Sequence, residues 1–250
     1  MSSPNSLDNH VALITGAARR IGAAIARTLH AQGADVAIHY RGSAEEAADL
    51  TDELNSQRAD SAASFAADLT DMAGLNTLVE EVTAWRGRLD ILVNNASSFY
   101  PTPVGEITED QWDDLIGTNL KAPLFLSQAA LPSLREARGV IINIVDVHSR
   151  RPLRDHTVYG PSKAGLAMLT RSLAKDLAPE VRVNGVSPGA ILWPENGMSG
   201  ATKDAILEQV PLGRPGSPDD VANAVLFLAK DADYVTGQII AIDGGRSIGW

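Results

Sequence analysis

Short runs of apolar residues alternate with longer amphipathic segments along this chain. Seven of the short runs predict strands, at 11–16, 35–40, 61–69, 90–96, 140–146, 181–188 and 238–245. Most of these runs are continuous in Val, Ile and Leu rather than alternating between apolar and polar residues. Continuous runs are typical of parallel strands that are covered on both faces.

The segments between the runs have helical spacing. They predict helices at 20–32, 44–57, 72–86, 108–118 leading into 119–136, 157–178 and 218–229. Gly33 stands where a helix C-cap belongs, and Ser217 followed by Pro218 is a helix start signal. Strands and helices alternate without a break in composition. This pattern predicts an α/β fold: a single doubly wound, Rossmann-type domain over 1–250, with a seven-stranded parallel sheet and helices on both faces.

Residues 189–216 depart from the alternation. The segment is rich in Gly and Pro and follows the sixth predicted strand. A lid over a bound substrate would sit at this point of such a fold, so we expect a substrate lid here. A plain surface excursion is the alternative.

Composition narrows the class of protein. The 250 residues include no cysteine, which excludes disulfides, thiol catalysis and cysteine-bound metal. A net charge of −10 argues against a nucleic-acid-binding surface. No secretory leader is visible, and no apolar run approaches the roughly 18 residues of a membrane span. These features predict a cytoplasmic protein. His10, His30 and His148 lack metal-ligand spacing and are expected on the surface, so no metal is predicted.

The first predicted strand runs into the glycine-rich turn TGAARRIG, residues 15–22, and then into a helix. Such a turn lets backbone N–H groups approach a pyrophosphate at the helix N-terminus. A turn of this kind is weak evidence alone, but it stands at the first strand of an α/β chain. The alternative is that its glycines serve tight packing only.

The end of the second strand indicates the cofactor. NAD sites usually place an acidic residue there to hold the ribose 2′-hydroxyl. This strand instead ends in HYRGS, with His39, Arg41 and Ser43, and Arg19 and Arg20 add positive charge at the glycine turn. A guanidinium and a hydroxyl suit a 2′-phosphate, so NADPH is predicted over NADH. A solvated basic turn is the alternative.

Asp68 and Leu69 end the third predicted strand. A carboxylate at this position is suited to hold the adenine amine of a dinucleotide. A surface acid with no ligand is the alternative.

Tyr159 and Lys163 are four residues apart on a predicted helix, so both side chains lie on one face. A phenol has a pKa near 10, which is high for proton exchange at neutral pH. A neighbouring ammonium is expected to lower that pKa and can also bind a ribose hydroxyl. Such a pair is commonplace by itself, and its place after the fifth strand makes it informative.

These motifs together resemble the short-chain dehydrogenase/reductase family over nearly the whole chain. The matching stretches are TGAARRIG, DILVNNA, Asn119 in GTNLKAP, YGPSK, RVNGVSPG and the closing IDGG. The resemblance implies Tyr159 as the proton donor, Lys163 as its partner and ribose ligand, and Asn119 as the anchor of a proton-relay water. It places Ser187–Gly189 beside the nicotinamide. The cofactor contacts that it implies are Gly16, Arg20, Ile21, Asn95, Ala96, Lys163, Pro188 and Gly189.

Two positions depart from the usual pattern of the family. Arg20 replaces a glycine of the turn, and Asp146 stands thirteen residues before Tyr159, where the family commonly has serine. A carboxylate would repel the electron density that develops on a ketone oxygen. It suits a substrate that presents N–H donors or that takes a proton on nitrogen. The alternative is that Asp146 pairs with Arg150 or Arg151.

Both departures, together with NNASSFYPTP at 94–103, resemble the pteridine reductase branch of the family. That resemblance implies a pterin ring stacked between the nicotinamide and Phe99, with Ser97 and Arg20 holding polar atoms of the pterin and the cofactor phosphates. Asp146 and Tyr159 would supply protons. Phe99 as a plain core or lid residue is the alternative. His156 stands where better-known members carry a bulkier aromatic residue. Trp193 is either a wall of the pterin slot or a packing residue.

The sequence therefore predicts an NADPH-dependent reductase that converts a dihydropterin, with dihydrofolate as a possible substrate, to the tetrahydro form. The rivals are a 3-oxoacyl or sugar ketoreductase and a catalytically silent NADP-binding sensor. The family resemblance also implies a homotetramer, built on the helices at 119–136 and 157–178 and the C-terminal strand.

Overall fold

Seven parallel strands form one continuous sheet in the computed structural model, which describes residues 6–192, 197 and 199–248. Their order across the sheet is β3-β2-β1-β4-β5-β6-β7. The strands are β1 Val11–Ile14, β2 Asp35–Tyr40, β3 Ala62–Ala66, β4 Ile91–Asn94, β5 Val140–Ile144, β6 Arg182–Pro188 and β7 Ile239–Ile242. From β1 the chain adds β2 and β3 on one side. It then returns to add β4 on the other side of β1, so the strand order reverses between β1 and β4.

Helices cover both faces of the sheet. They are α1 Arg20–Ala31, α2 Ala44–Gln57, α3 Met72–Arg86, α4 Glu109–Ile116, α5 Ala122–Ala137, α6 Tyr159–Leu177, α7 Gly200–Leu207 and α8 Pro218–Lys230. Within β1, Ile14 packs into the core beneath α1 and α8, whereas its neighbour Leu13 packs into the core beneath α3 and α5. Successive side chains of a strand point to opposite faces, so burial on both faces requires an unbroken apolar run. The predicted doubly wound fold class is confirmed.

Most predicted strands end earlier in the structure than in the sequence reading. Those expected at 11–16, 90–96 and 61–69 stop at Ile14, Asn94 and Ala66. The following residues leave the ladder for contacts between loops: the Thr15 hydroxyl accepts hydrogen bonds from the amides of Asn95 and Ala96. The residues just beyond the strands therefore form the upper edge of the sheet, where ligands bind in folds of this kind.

Three helical features differ from the sequence reading. A π-helical turn, Gly117–Lys121, separates α4 from α5. The segment 189–216 contains α7, whose N-cap Ser199 accepts a hydrogen bond from the Thr202 amide. This helix is short and buries no residue, so it leaves no apolar period to read. His30, expected on the surface, is buried in α1 with its Nε2 2.7 Å from the Ser61 hydroxyl.

The helix end signals behave as the sequence predicts. Gly33 follows the end of α1 with a φ of +103°, and a Cβ there would overlap the Asp8 carboxylate. Ser217 caps α8 in a reciprocal capping box with Asp220. No helix in the described part of the chain has both the length and the apolar character to cross a membrane.

Candidate active site

Two adjoining cavities open at the edge of the sheet where the parallel strands end. The first cavity, of about 680 Å³, lies beyond β1, β2 and β4, and the second cavity, of about 380 Å³, lies beyond β5 and β6. Arg20, Ile21, Asn95 and Ser97 line both. The reversal of strand order between β1 and β4 falls here, and ligands of doubly wound folds bind at such a point.

The predicted site residues meet in these two cavities. The first cavity is lined by Gly16, Arg20, Ile21, His39, Arg41, Ser43, Asp68, Leu69, Asn95 and Ala96. The second cavity is lined by Arg20, Ser97, Phe99, Asp146, Tyr159, Lys163, Pro188 and Gly189. Asn119 is fully buried and lies outside both walls. Trp193 lies outside the described residues.

The glycine turn is shaped by contacts that exclude any Cβ. Gly16 has a φ of +60°, and a Cβ on it would come within 3.0 Å of the Ala96 Cα. A Cβ on Gly22 would overlap the Gly16 carbonyl oxygen. The Asn95 amide donates to the carbonyl oxygens of Thr15 at 2.8 Å and Gly16 at 3.1 Å. These contacts fix the conformation of the turn. At Gly16 and Gly22 the backbone borders the first cavity with no side chain between them.

Arg20 stands where the family commonly has a glycine. Its backbone has a conformation that glycine adopts easily and other residues rarely do. Its φ is +56°, in the left-handed region that costs an L-residue about 1–2 kcal/mol. Non-glycine residues in this region cluster at functional sites, where the surrounding structure holds them. Arg20 is also one of the residues that line both cavities. The strain thus coincides with the boundary between the two cavities.

His39 supports the glycine turn rather than pointing a free ring into the first cavity. Its Nδ1 accepts a hydrogen bond from the Gly16 amide at 3.1 Å, and its Nε2 lies 3.1 Å from the Ala67 carbonyl oxygen. Burial lowers the pKa of His39 to about 4, against the opposing effects of the Ala67 carbonyl and Asp68. The ring is therefore neutral, and both nitrogens are engaged. His39 lines the first cavity, and its role as a cofactor contact stays a prediction.

Arg41 and Ser43 remain as the cation and hydroxyl of that corner. Arg41 is exposed, and both residues line the first cavity. Arg19, on the rim, forms an ion pair with Glu46 at 3.4 Å. Surface pairs of this kind add little stability, so the mixed charge at the rim is a feature of ligand access rather than of folding.

Asp68 and Leu69 lie at the outer end of the first cavity. The Asp68 Oδ1 accepts hydrogen bonds from the hydroxyl of Thr70 at 2.7 Å and from its amide at 2.9 Å. These bonds lower the pKa of Asp68, so its carboxylate is ionised at neutral pH. An ionised carboxylate is an acceptor only, which suits an amine donor.

In the second cavity, Asp146 and Tyr159 form a direct pair. The Tyr159 hydroxyl donates to the Asp146 Oδ2 at 2.8 Å. The other carboxylate oxygen accepts from the His148 amide at 2.7 Å, which caps the 3₁₀ turn Val147–Ser149. Asp146 thus directs one oxygen to its own loop and the other to Tyr159, and a pairing with Arg150 or Arg151 is not what fixes it.

The pKa of Tyr159 shifts in the direction opposite to the one expected from the sequence. Burial, followed by the charge of Asp146 and its hydrogen bond, raises the pKa well above the ordinary value of a phenol, and Ser97 opposes this in part. Lys163 is not among the groups that shift this pKa, and its ammonium donates to the Ile144 carbonyl oxygen at 3.0 Å. Tyr159 therefore holds its proton firmly and is placed as a donor.

Lys163 is the most deeply placed charge of the site. It is fully buried among the largest side chains of the core. Burial lowers its pKa to about 8, and the nearby Asp146 carboxylate raises it in part. Its Nζ lies 5.9 Å from the centre of the Tyr159 ring. Lys163 is thus charged at neutral pH but close to losing its proton.

Asn119 connects the loop after β4 to α6. Its Oδ1 accepts from the Ser97 hydroxyl and the Ser98 amide, both at 2.9 Å, and its Nδ2 donates to the Ser98 carbonyl at 3.0 Å and the Ser162 hydroxyl at 3.1 Å. All four bonding positions of the amide are used. Asn119 lies in the π-helical turn, a feature that often marks functional sites. Its relay-water role stays a prediction.

Phe99 stands over the second cavity with half of its surface exposed. Its ring stacks on His156, with centroids 4.7 Å apart at 25°, and meets Tyr159 edge-on at 4.7 Å. The alternative of Phe99 as a plain core residue is therefore wrong, since core rings are covered. His156 backs this ring, which is a role that its place in the sequence did not indicate.

Pro188 and Gly189 close the second cavity beside Lys163. The Gly189 amide donates to the Ile242 carbonyl at 3.0 Å, and a Cβ on Gly189 would press within 2.6 Å of the Asp243 Cβ. Ile191, Leu192 and Ile206 in this wall belong to the predicted lid segment 189–216, whereas the sequence did not point to His148, Leu153 or Arg246. These three come from separate turns with no shared period, and only the adjacency of Arg246 to the IDGG motif could have pointed to one of them.

The fold and the site together define a dinucleotide-type α/β reductase: a glycine turn at a switch point, beside a tyrosine and a buried lysine one helical turn apart. Comparison with known proteins gives the family. A family model described as enoyl-(acyl carrier protein) reductase matches residues 16–247. The chain belongs to the short-chain dehydrogenase/reductase family and is an oxidoreductase. Among the described residues, no group of three or more His, Asp or Glu side chains is placed to hold a metal.

Similar proteins include two kinds of reductase. The chain is 39% identical to pteridine reductase 1 of Leishmania tarentolae, over 95% of this chain and 96% of the relative. It is 40% identical to the 3-oxoacyl-[acyl-carrier-protein] reductase FabG of Staphylococcus aureus, over 94% and 96%. A blue fluorescent protein from a metagenomic library, solved in complex with NADPH, superposes with a TM-score of 0.91 at 37% identity, over 96% of this chain and 99% of that one. The two identities are too close to separate the substrates.

Proposed function

We propose that this protein is an NADPH-dependent pterin reductase that converts a dihydropterin, dihydrofolate included, to the tetrahydro form. The observation that carries the proposal is the 2.8 Å hydrogen bond from the Tyr159 hydroxyl to the Asp146 carboxylate inside the second cavity. The similarity to pteridine reductase 1 supports it. The similarity to FabG keeps a carbonyl substrate as the second candidate.

The first cavity fits NADPH by its chemistry. Part of its wall is the glycine turn, whose backbone N–H groups suit the pyrophosphate. Arg41 and Ser43 would hold the 2′-phosphate, and Asp68 with Leu69 would hold the adenine. Lys163 would bind the ribose of the nicotinamide, beside Pro188 and Gly189. The likeness to a structure solved with NADPH supports this placement. When bound, the reduced nicotinamide supplies a hydride.

The second cavity fits a flat heterocycle with N–H donors. The exposed face of Phe99 offers a surface for stacking, and the ring is held in place by His156 and Tyr159. The Asp146 carboxylate, fixed by the His148 amide, is an acceptor for ring N–H groups. Ser97 and Arg20 lie where both cavities meet, so each can contact the substrate and the cofactor phosphates.

Reduction of a ring C=N bond adds a hydride to carbon and a proton to nitrogen. The Tyr159 hydroxyl carries the proton and donates a hydrogen bond to the Asp146 carboxylate at 2.8 Å. That proton passes to the ring nitrogen, and because Asp146 is partly exposed, it is replaced from solvent. Lys163, whose pKa is about 8, keeps a positive charge beside the pair at neutral pH and balances the carboxylate.

Asp146 weighs against the carbonyl candidate. Reduction of a ketone builds negative charge on its oxygen, and two like charges in contact repel by about 4 kcal/mol at the effective dielectric constant of such a site. A serine in this place would donate a hydrogen bond instead. The carboxylate thus disfavours the transition state of an ordinary ketoreductase.

We further propose a single domain over 1–250, with 189–216 as a substrate lid, that acts in the cytoplasm as a homotetramer. Ile191, Leu192 and Ile206 line the second cavity, which supports the lid. Leu124 and Phe125 on α5 and Met168 on α6 expose apolar surface on the two helices expected at the tetramer interface. Light scattering of the purified protein measures the assembly, and a monomer would contradict it.

The function is tested by initial rates with NADPH and three substrates: dihydrobiopterin, dihydrofolate and an acetoacetyl thioester. We expect turnover of the pterins and little of the thioester. Turnover of the thioester alone would overturn the pterin proposal in favour of the ketoreductase. Binding of NADPH without turnover of any of the three would support the silent sensor.

A further inference from the structure

We infer that Arg246 forms an oxyanion subsite that holds the acidic tail of the substrate, at the end of the second cavity away from the reacting atoms. The inference rests on the proposed function for the nature of the ring. The subsite itself is argued from the wall of the cavity. None of the similarities described above assigns a role to this residue.

Arg246 is a cation in the cavity wall that the site chemistry does not use. It lines the second cavity together with Arg20, Asp146 and Lys163. Lys163 is bonded to Ile144 and adjoins Tyr159, and Arg20 lies at the boundary with the first cavity. Arg246 is partly buried, and among the residues that the structure describes, no hydrogen bond or ion pair engages its guanidinium. A guanidinium with its donors open to a cavity suits a carboxylate or a phosphate.

The carboxylate of Asp243, three residues before Arg246, is engaged by its own loop. The Asp243 Oδ1 accepts from the Gly245 amide at 2.9 Å and its Oδ2 from the Ser247 amide at 2.7 Å. These bonds fix the backbone on either side of Arg246, which begins the 3₁₀ turn Arg246–Ile248. The turn that carries Arg246 is thus an ordered part of the fold.

The sheet places Arg246 at a distance that suits a tail. Arg246 follows β7, Asp146 follows β5, and β6 lies between these strands. Neighbouring strands are about 4.8 Å apart, so the ends of β5 and β7 are separated by roughly 10 Å. Arg246 and Asp146 therefore follow strands that are not neighbours, and both line the second cavity. The guanidinium can contact a substituent without touching the atoms that react.

Part of the wall of the second cavity is apolar, with Leu153, Ile191, Leu192 and Ile206 in its lining. The chain that follows α7 packs on the turn that carries Arg246, since the Leu212 amide donates to the Gly244 carbonyl at 3.1 Å. The cavity thus combines an acceptor for a ring, apolar side chains and a cation in one wall. A substrate whose ring is joined through an apolar linker to an oxyanion matches these three features. A substrate with a short neutral tail would leave the Arg246 guanidinium without a partner group on the substrate.

The subsite is tested with Arg246→Gln, which removes the charge and keeps a polar side chain. We expect the KM for dihydrofolate, with its carboxylate tail, to rise about tenfold, which is 1.4 kcal/mol of binding, while kcat and the KM for dihydrobiopterin stay unchanged. A phosphorylated dihydropterin tests whether phosphate is taken as well as carboxylate. Arg246→Lys should restore part of the affinity. Arg135→Gln, an exposed arginine of α5 outside both cavities, is the matched control.

Failure of the subsite and failure of the pterin proposal give different results. If no pterin is reduced, the same variants are compared with acetoacetyl-coenzyme A, which carries phosphates, and with neutral ethyl acetoacetate. A rise in KM confined to the anionic member of either series supports the subsite. An equal rise for the anionic and the neutral member, or no rise in either series, overturns it. Calorimetric binding of folate and of pterin to the NADP⁺-loaded variants is the second readout.

Discussion

The two cavities are built in different ways. The wall of the first cavity comes mostly from the N-terminal half of the chain: the glycine turn, the end of β2 and the residues after β3. The wall of the second cavity is made of residues from helices, strand ends and loops between Arg20 and Arg246. The first cavity suits a common cofactor. In the proposed function the second cavity sets the substrate, and its residues meet only in the folded chain.

The difference explains why two kinds of relative match equally well. Whole-chain identity counts every aligned position equally, and the two kinds of relative match at 39% and 40%. Asp146, Arg20 and Phe99 add almost nothing to that identity. In the proposed function they nonetheless decide the chemistry, because a carboxylate and a hydroxyl place opposite charge demands on the substrate. Substitutions in the two cavities should therefore separate substrate turnover from cofactor binding.

The largest effect is expected from Asp146→Ser. The variant removes the carboxylate that accepts the Tyr159 proton and that faces the substrate. Loss of a positioned acid–base group costs about 10²–10⁴-fold, so we expect a fall of that size in kcat/KM for dihydrobiopterin. The Kd for NADPH, measured by fluorescence titration, should not change. Asp146→Asn, which keeps the shape and an acceptor oxygen, separates charge from geometry.

Equal losses of turnover and NADPH affinity in Asp146→Ser would contradict the division between the cavities. In that case Asp146 would act by holding the 3₁₀ turn at Val147–Ser149. Faster reduction of the acetoacetyl thioester by the same variant would instead support the assignment of substrate choice to the second cavity, since a serine hydroxyl can donate a hydrogen bond to a ketone oxygen.

The second effect concerns the first cavity alone. Arg41→Ala removes the exposed guanidinium that would face the 2′-phosphate. Hydrogen bonds to charged groups contribute about 1.5–3 kcal/mol, so the KM for NADPH should rise by about 10- to 100-fold. The KM for NADH and the KM for the pterin should stay constant. His39→Gln is informative beside it: because His39 holds the Gly16 amide, its loss should weaken NADPH and NADH alike.

An unchanged preference for NADPH in Arg41→Ala would leave Ser43 and Arg20 as the discriminating residues. A parallel loss of both cofactors would show that Arg41 shapes the loop and does not read the phosphate.

Most residues that line the first cavity could be predicted from the sequence, and those that line the second only in part. Gly16, Asn95 and Ala96 stand in two short motifs that are each recognisable alone, although the contacts between the motifs join residues 79 and 81 positions apart. The closeness of Asp146 and Tyr159 followed from a family position. The burial that raises the Tyr159 pKa did not, because it depends on everything packed around the phenol. His39 shows the same limit, because the burial that lowers its pKa to about 4 is not visible in the strand end.

The strand ends and α7 mark where local pattern fails. Apolar periodicity requires a buried face, and α7 buries no residue. The lining residues Leu153, Ile206 and Arg246 are brought together by loops whose course follows from packing at long range. Neither hydrophobic period nor turn chemistry encodes that course.

A third prediction concerns pH. Burial lowers the pKa of Lys163 to about 8, so its ammonium loses its proton as the pH rises through that value. We expect kcat/KM to fall about tenfold per pH unit above it, since one required proton is lost. The pKa of Tyr159 lies far higher and does not contribute near pH 8. The pH profile of the steady-state rate with dihydrobiopterin gives the measurement.

Two variants assign the alkaline limb. The Asp146 carboxylate raises the pKa of Lys163, so in Asp146→Asn the limb should move to lower pH. In Lys163→Arg the side chain stays charged over the whole pH range. The pH profile of the activity that this variant retains should therefore be level. A wild-type profile that is level to pH 10 would contradict the assignment.

The smallest effect is expected from Phe99→Leu, at the entrance of the second cavity. The Phe99 ring is 52% exposed, so its loss should barely change the free energy of unfolding, in contrast to a buried ring. Stacking of aromatic rings contributes about 0.5–1.5 kcal/mol beyond buried area, which predicts a rise of about two- to tenfold in the KM for dihydrobiopterin. The KM for NADPH should not change.

His156→Leu removes the ring that stacks on Phe99 and should produce a weaker change in the same direction. Thermal unfolding measured beside the kinetics distinguishes the two roles of Phe99: a drop in Tm with unchanged KM would make it a structural residue, and the stacking surface would then have to lie elsewhere in the wall.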